Sequence, residues 1–132
     1  MHYLLKTEPT AYSFADLLRE KETDWTGVTN PQAVKNLTGM KKGDKLVIYH
    51  TGDEKTAVGL AQVKSVDLSD PKVPLVYITA GPAIKRPKTL AEIKQHALFQ
   101  ASPLVRQSRL SVVPVSEDDW RLICEMAGTP AD

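Results

Sequence analysis

Residues 43–50, GDKLVIYH, followed by TGDEKT (51–56) and AVGLAQVKSV (57–66), decide the fold. Lys45 to Tyr49 is almost continuously apolar, with Val47, Ile48 and Tyr49 in succession. Branched and aromatic side chains suit a pleated surface, so the run predicts a strand buried on both faces. Ala57 to Val66 predicts a second strand, with Gly59 and Ala61 where something large must come close. The polar, Gly-containing link at 51–56 joins the two as a hairpin. Such a hairpin is a rigid floor. His50, Thr51 and Gly52 stand at its rim, where polar groups become reachable and where binding residues tend to be held.

Working outward, His2 to Thr7 predicts a short strand ended by Glu8-Pro9, since proline lacks a ladder donor. Ser13 to Asp16 has the pattern of a capping box, with Phe14, Leu17 and Leu18 as the apolar stripe of a brief helix. That helix is expected to give out in the charged run Arg19 to Asp24. Asn30-Pro31 starts a second helix, with Val34 and Leu37 inward and Gly39 closing it in a left-handed conformation.

Beyond the hairpin, Leu75 to Thr79 is expected to be a third strand stopped by Gly81-Pro82, with Ile84 to Pro87 extended. Thr89 to Glu92 is a further capping box, leading a helix with Leu90, Ile93 and Ala97 inside. Ser102-Pro103 opens a short helical turn. Arg109 to Val115 is a last strand, its Pro114 pointing to an edge or a bulge. Ser116 caps a final helix that buries Trp120, Ile123, Cys124 and Ala127 and ends at Gly128. Strands and short helices mixed irregularly favour an α+β fold on a curved, mostly antiparallel or barrel-like sheet.

Length and composition narrow the function. A chain of 132 residues is expected to form one domain over 1–132. It can bury roughly 68% of its unfolded surface, enough for a core without disulfides. The formal net charge of +1 argues against strong non-specific DNA binding, which needs many phosphate contacts. The single cysteine, Cys124, permits no internal disulfide and reads as a buried small hydrophobe. No apolar run approaches the ~20 residues that span a bilayer. MHYLLKTEP is too short and interrupted for a signal peptide, so a cytoplasmic location and no membrane partner are expected.

The sequence holds no phosphate-binding glycine loop and no GxSxG elbow. His2, His50 and His96 lie far apart, so neither a metal nor a cofactor is expected. Four fragments carry more chemistry than packing needs. Lys6-Thr7-Glu8-Pro9 gathers polar groups at a strand end. Trp25 lies outside any periodic apolar segment and is either core or a stacking plate for a planar base. Asn30 is a helix cap that can also read a ligand edge. Arg106 and Arg109 are either solvated or aimed at phosphate.

These fragments and their surroundings resemble one family. The matching pieces are Lys6-Thr7-Glu8-Pro9, Tyr12-Ser13-Phe14, Trp25-x-Gly27-Val28-x-Asn30-x-Gln32-Ala33 and Met40-x-x-Gly43-Asp44. They continue with Tyr49-His50-Thr51, Gly59-x-Ala61-x-Val63, Arg86-Pro87-x-Thr89-Leu90, and Arg106-x-x-Arg109-Leu110-Ser111-Val112-x-Pro114-Val115 before Trp120. Their order and spacing resemble the EVE domain over nearly the whole chain. The resemblance implies a PUA-like fold, a small β-barrel flanked by helices, similar to the YTH domain, whose pocket holds a methylated adenine against aromatic walls. It implies a non-catalytic reader of modified bases, such as methylated or hydroxymethylated cytosine, in DNA or RNA.

Carried over by position, Trp25 would wall the base. Lys6, Thr7, Asn30, His50 and Thr51 would line the pocket, and Arg106 and Arg109 would meet the sugar–phosphate backbone. The chain departs from the family at Thr29-Asn30-Pro31, where many members have Arg-Asn-Tyr. It departs again in the short loop holding Val73, where many have an aromatic. One basic contact and two aromatics are thereby lost, which implies a pocket that is shallower, accepts a different base or binds weakly. Two other functions remain open on sequence. One is a small enzyme acting on a nucleotide-like metabolite, with Lys6, Glu8 and His50 as its acid–base set. The other is a protein-interaction module with a vestigial pocket. On the reader hypothesis Trp25→Ala is expected to abolish binding and leave the fold intact.

Overall fold

The computed structural model describes residues 2–25, 28, 30–52, 54–70, 72, 74–89, 92 and 110–127. Thr29, Val73, Arg106, Arg109, Gly128, the turn at Ser102-Pro103 and nearly all of the helix expected after Thr89 lie outside the described residues. The elements in chain order are β1 (His2–Thr7), α1 (Phe14–Glu20), β2 (Glu22–Trp25), α2 (Pro31–Thr38) and β3 (Lys45–His50). They are followed by β4 (Thr56–Asp67), β5 (Leu75–Thr89), β6 (Val112–Val115) and α3 (Glu117–Ala127).

The strands form one six-stranded sheet in the order β2-β5-β4-β3-β1-β6. Strand β1 runs parallel to β3, and the other neighbours are antiparallel. The architecture is therefore α+β on a mixed sheet. It differs from the expected barrel in being open, with β2 and β6 at opposite ends of the sheet. Those two strands are four residues each and offer little ladder for closure.

The β3–β4 hairpin lies at the centre, as its composition requires. Leu46 to His50 are all buried, and β4 continues under β5 for twelve residues. Strand β5 does not stop at Gly81-Pro82. Ala61 pairs with Ala80 and Gly59 with Ala83, so residues 81 and 82 face Leu60 alone, which is a bulge. A bulge spares Pro82 its missing ladder bond. Gly81 is needed there, since a Cβ would stand 2.8 Å from the Leu60 carbonyl oxygen.

The helices clamp the sheet by specific contacts. Ser13 and Asp16 form the reciprocal capping box that starts α1, with Asp16 N–H donating to Ser13 Oγ at 3.1 Å and Ser13 N–H donating to Asp16 at 2.9 Å. Phe14 and Leu17 are buried, but Leu18 is exposed, because α1 is too short for a third inward position. The charged run after α1 is not a helix end alone: Glu22–Trp25 is a strand, paired with Val76 to Thr79.

Helix α2 buries Ala33 and Leu37, with Val34 only half-buried, and Asn36 Nδ2 donates to the Val112 carbonyl at 2.7 Å, tying it to β6. Gly39 ends α2 at φ −83°, a right-handed rather than left-handed closure, because its amide still reaches the Lys35 and Asn36 carbonyls. In α3, Trp120, Ile123 and Cys124 are buried, and the His2 ring stacks on Trp120 at 4.6 Å and 6°. No helix among the described residues is long and apolar enough to cross a membrane.

Candidate functional site

The site grows from the C-terminal end of β1. Thr7 pairs with His50 across β1 and β3, and its carbonyl accepts from the Thr51 amide at 2.9 Å. Beyond it, the Glu8 carbonyl accepts from the Ala11 and Tyr12 amides, folding residues 8–12 into a tight turn. The Thr7 hydroxyl donates to the Tyr12 carbonyl at 2.6 Å and fixes that turn on the strand. Tyr12 is thereby swung towards β2.

There it meets Trp25. The two rings are 6.2 Å apart at 85°, an edge-to-face pair. Tyr12 Oη donates to Glu20 Oε2 at 3.0 Å, and burial, the largest influence, pushes its phenol above the usual value. Thr7, Tyr12, Thr23, Asp24 and Trp25 line a cleft of about 210 Å³. That is below the ~300 Å³ at which drug-sized ligand pockets begin, so it suits a single ring better than a whole nucleotide. Trp25 is 7% exposed: it is part of the core and a wall of the cleft at once.

The other residues singled out in the sequence stand outside this lining, each for a physical reason. His50 is buried and both its ring nitrogens are engaged. The Phe14 amide donates to Nε2 at 3.0 Å, so Nε2 carries the lone pair and Nδ1–H faces Glu54 Oε1 at 3.0 Å. Thr51 donates its hydroxyl to Glu8 Oε2 at 3.4 Å, on the rim behind Thr7. Lys6 alternates to the opposite face of β1, its ammonium 5.8 Å from the Tyr49 ring centre, and burial lowers its pKa. Asn30 uses its side-chain oxygen to cap α2, accepting from the Gln32 and Ala33 amides at 2.9 and 3.1 Å. Arg106 and Arg109 lie outside the described residues.

Tyr12, Thr23 and Asp24 complete the cleft and were not anticipated as lining. Tyr12 belongs to the Tyr12-Ser13-Phe14 motif, which was its only signal. Thr23 and Asp24 were hidden in a charged run. Of the acid–base set considered on sequence, His50 bonds the Phe14 amide and Glu54, Glu8 accepts from Thr10 and Thr51, and Lys6 lies on the opposite face of β1. Among the described residues no group of three or more His, Cys, Asp or Glu is placed to hold a metal ion.

The EVE domain model matches residues 1–126. The chain belongs to the EVE family. No curated protein matches it. Among solved structures, this EVE chain is similar to Rpa0253 from Rhodopseudomonas palustris, at 32% identity and a TM-score of 0.89, covering 96% of this chain and 92% of that one. It is similar to Atu2648 from Agrobacterium tumefaciens at 32% identity and 0.89, covering 97% and 93%. Human THYN1, solved in complex with DNA containing 5-methylcytosine, is 26% identical with a TM-score of 0.85, covering 98% of each chain.

Proposed function

We propose that this EVE domain is a non-catalytic nucleic-acid-binding module that takes a methylated nucleobase into the Trp25 cleft. The observation that carries the reading is a single-ring-sized hollow with two perpendicular aromatic walls, Tyr12 and Trp25, at the end of a rigid strand. The human relative solved with 5-methylcytosine DNA supports the same class of ligand. Tyr12 supplies a second aromatic where the family's usual one is replaced by Pro31.

Energetics favour a base that is already unstacked. Extruding a base from a duplex costs a few kcal/mol, and one aromatic stack returns roughly 1–3 kcal/mol. A net charge of +1 adds little phosphate attraction, so affinity is modest and its salt dependence shallow.

The test is a titration with single-stranded DNA and RNA oligonucleotides carrying cytosine or 5-methylcytosine at one position. Tighter binding of the methylated strand, weakened by Trp25→Phe, is expected. Indifference to the methyl group sinks the reading.

A further inference from the structure

Strand β2 is a partition one strand thick. Thr23 and Trp25 share one of its faces, and alternation turns Glu22 and Asp24 to the other. On that other side the register sets Asp24 beside Tyr77, and Tyr77 beside Ser65. A second hollow of about 420 Å³ opens there, lined by Glu22, Thr23, Asp24, Lys64, Ser65 and Tyr77. The two hollows share Thr23 and Asp24.

Three features of this groove exceed what folding needs. Tyr77 is a large ring 37% exposed on a strand paired on both sides, which makes it a rigid stacking surface. The register shift between Val63 and Ser65 is a bulge that brings both Lys64 and Ser65 to the groove. Lys64 is bound to Glu22 at 2.7 Å, whereas the Asp24 carboxylate has no hydrogen-bond or ion-pair partner among the described residues.

Resting on the cleft reading above, we propose that this groove holds the base of the nucleotide next to the one in the Trp25 cleft. That base stacks on Tyr77 and donates an exocyclic amine to Asp24. A carboxylate only accepts hydrogen bonds, so it favours adenine, cytosine or guanine, which carry an exocyclic amine, over thymine or uracil, which do not. Continuity decides for a neighbouring base: the two hollows share Thr23 and Asp24, so they adjoin across a single edge strand. The Lys64–Glu22 pair is self-neutralised, so among the described residues lining the groove Asp24 leaves a net negative charge, which keeps phosphate outside.

The experiment uses three probes at fixed salt: free 5-methyldeoxycytidine, and single-stranded trinucleotides with 5-methylcytosine flanked by adenines or by thymines. The adenine-flanked strand should bind at least about fivefold tighter than the nucleoside, the lower end of one base–aromatic stack. Tyr77→Ala should remove that gain and leave nucleoside binding unchanged. Asp24→Asn should narrow the preference for adenine over thymine flanks. If the nucleoside binds but flanks and Tyr77→Ala make no difference, the groove proposal is overturned and the cleft reading stands. If neither nucleoside nor trinucleotide binds, both fall. If acetyl-arginine amide, and not the trinucleotides, shifts the Tyr77 ring resonances, the groove belongs to a basic protein partner and the proposal is wrong.

Discussion

The Phe14 amide donates to His50 Nε2 at 3.0 Å across 36 residues of chain, so the first turn of α1 is fastened to the rim of the central hairpin. An amide in the first helical turn has no partner within its own helix. His50 supplies that partner, and it pairs in register with Thr7, which lines the cleft. His50 is therefore a positioning residue here. His50→Ala should cost roughly 1–3 kcal/mol in urea unfolding, because it strands a buried donor. His50→Gln, whose oxygen reaches a similar place, should recover part of that loss and of ligand affinity. Equal losses in the two variants would show that the acceptor is irrelevant.

The same helix is seated by an absence of side chain. A Cβ at Gly59 would stand 2.2 Å from Phe14 Cζ, so the ring occupies the space over that glycine. Gly59→Ala must push Phe14 and α1 outward. Overpacking of this kind costs typically 1–3 kcal/mol, and the displaced turn carries Tyr12. Lower urea midpoints together with weaker ligand binding are expected, and Gly59→Ala with Phe14→Leu should regain stability. A fully stable Gly59→Ala would contradict this packing.

How much was legible in the chain follows from where each signal resides. The hairpin was readable because Leu46 to Tyr49 is an unbroken apolar run, and the caps of α1 and α2 because Ser13, Asp16 and Asn30 act locally. Strand β2 was not readable. It is an edge strand whose outward positions are charged, and its identity comes from pairing with β5 more than fifty residues away. Gly81-Pro82 misled for a related reason: only the register against β4 shows that a bulge absorbs it. Trp25 stood out by lying outside any periodic segment. Its partner wall Tyr12 depends on a turn folded by Thr7 and Glu8, which no spacing rule reports.

Acid should weaken the fold through three carboxylates held below their usual range: Asp67, lowered by the Ser69 hydroxyl and amide, and the pair Asp16 and Glu117. Asp16 is lowered first by the Ser13 amide and then by Arg19, and Glu117 by its bond to His2 and then by Arg121. In all three, the folded state releases its proton more readily than the unfolded state. Their contribution is present above the unfolded pKa and is lost as pH falls through the folded one. Stability should therefore decline below about pH 4. Asp16→Asn should flatten part of that decline, measured as urea midpoint against pH between 2 and 6. A variant with an unchanged slope would exclude Asp16 as a contributor.

Trp25 serves packing and the cleft together, which changes how it must be tested. At 7% exposure its truncation leaves a large void, and Trp25→Ala should cost about 3–5 kcal/mol. Loss of binding in that variant would follow from unfolding alone and decide nothing. This differs from the expectation that the indole can be removed with the fold intact. Trp25→Phe keeps an aromatic beside Tyr12 and most of the buried area, so it should lose far less stability than Trp25→Ala and stay folded. Its smaller ring face should weaken binding of a methylated base severalfold, within the ~1–3 kcal/mol of one stack. Tyr12→Leu should act the same way through the second wall while leaving Trp25 packed. Undiminished affinity for the methylated base in both folded variants would remove the aromatic cleft from the account of this domain's function.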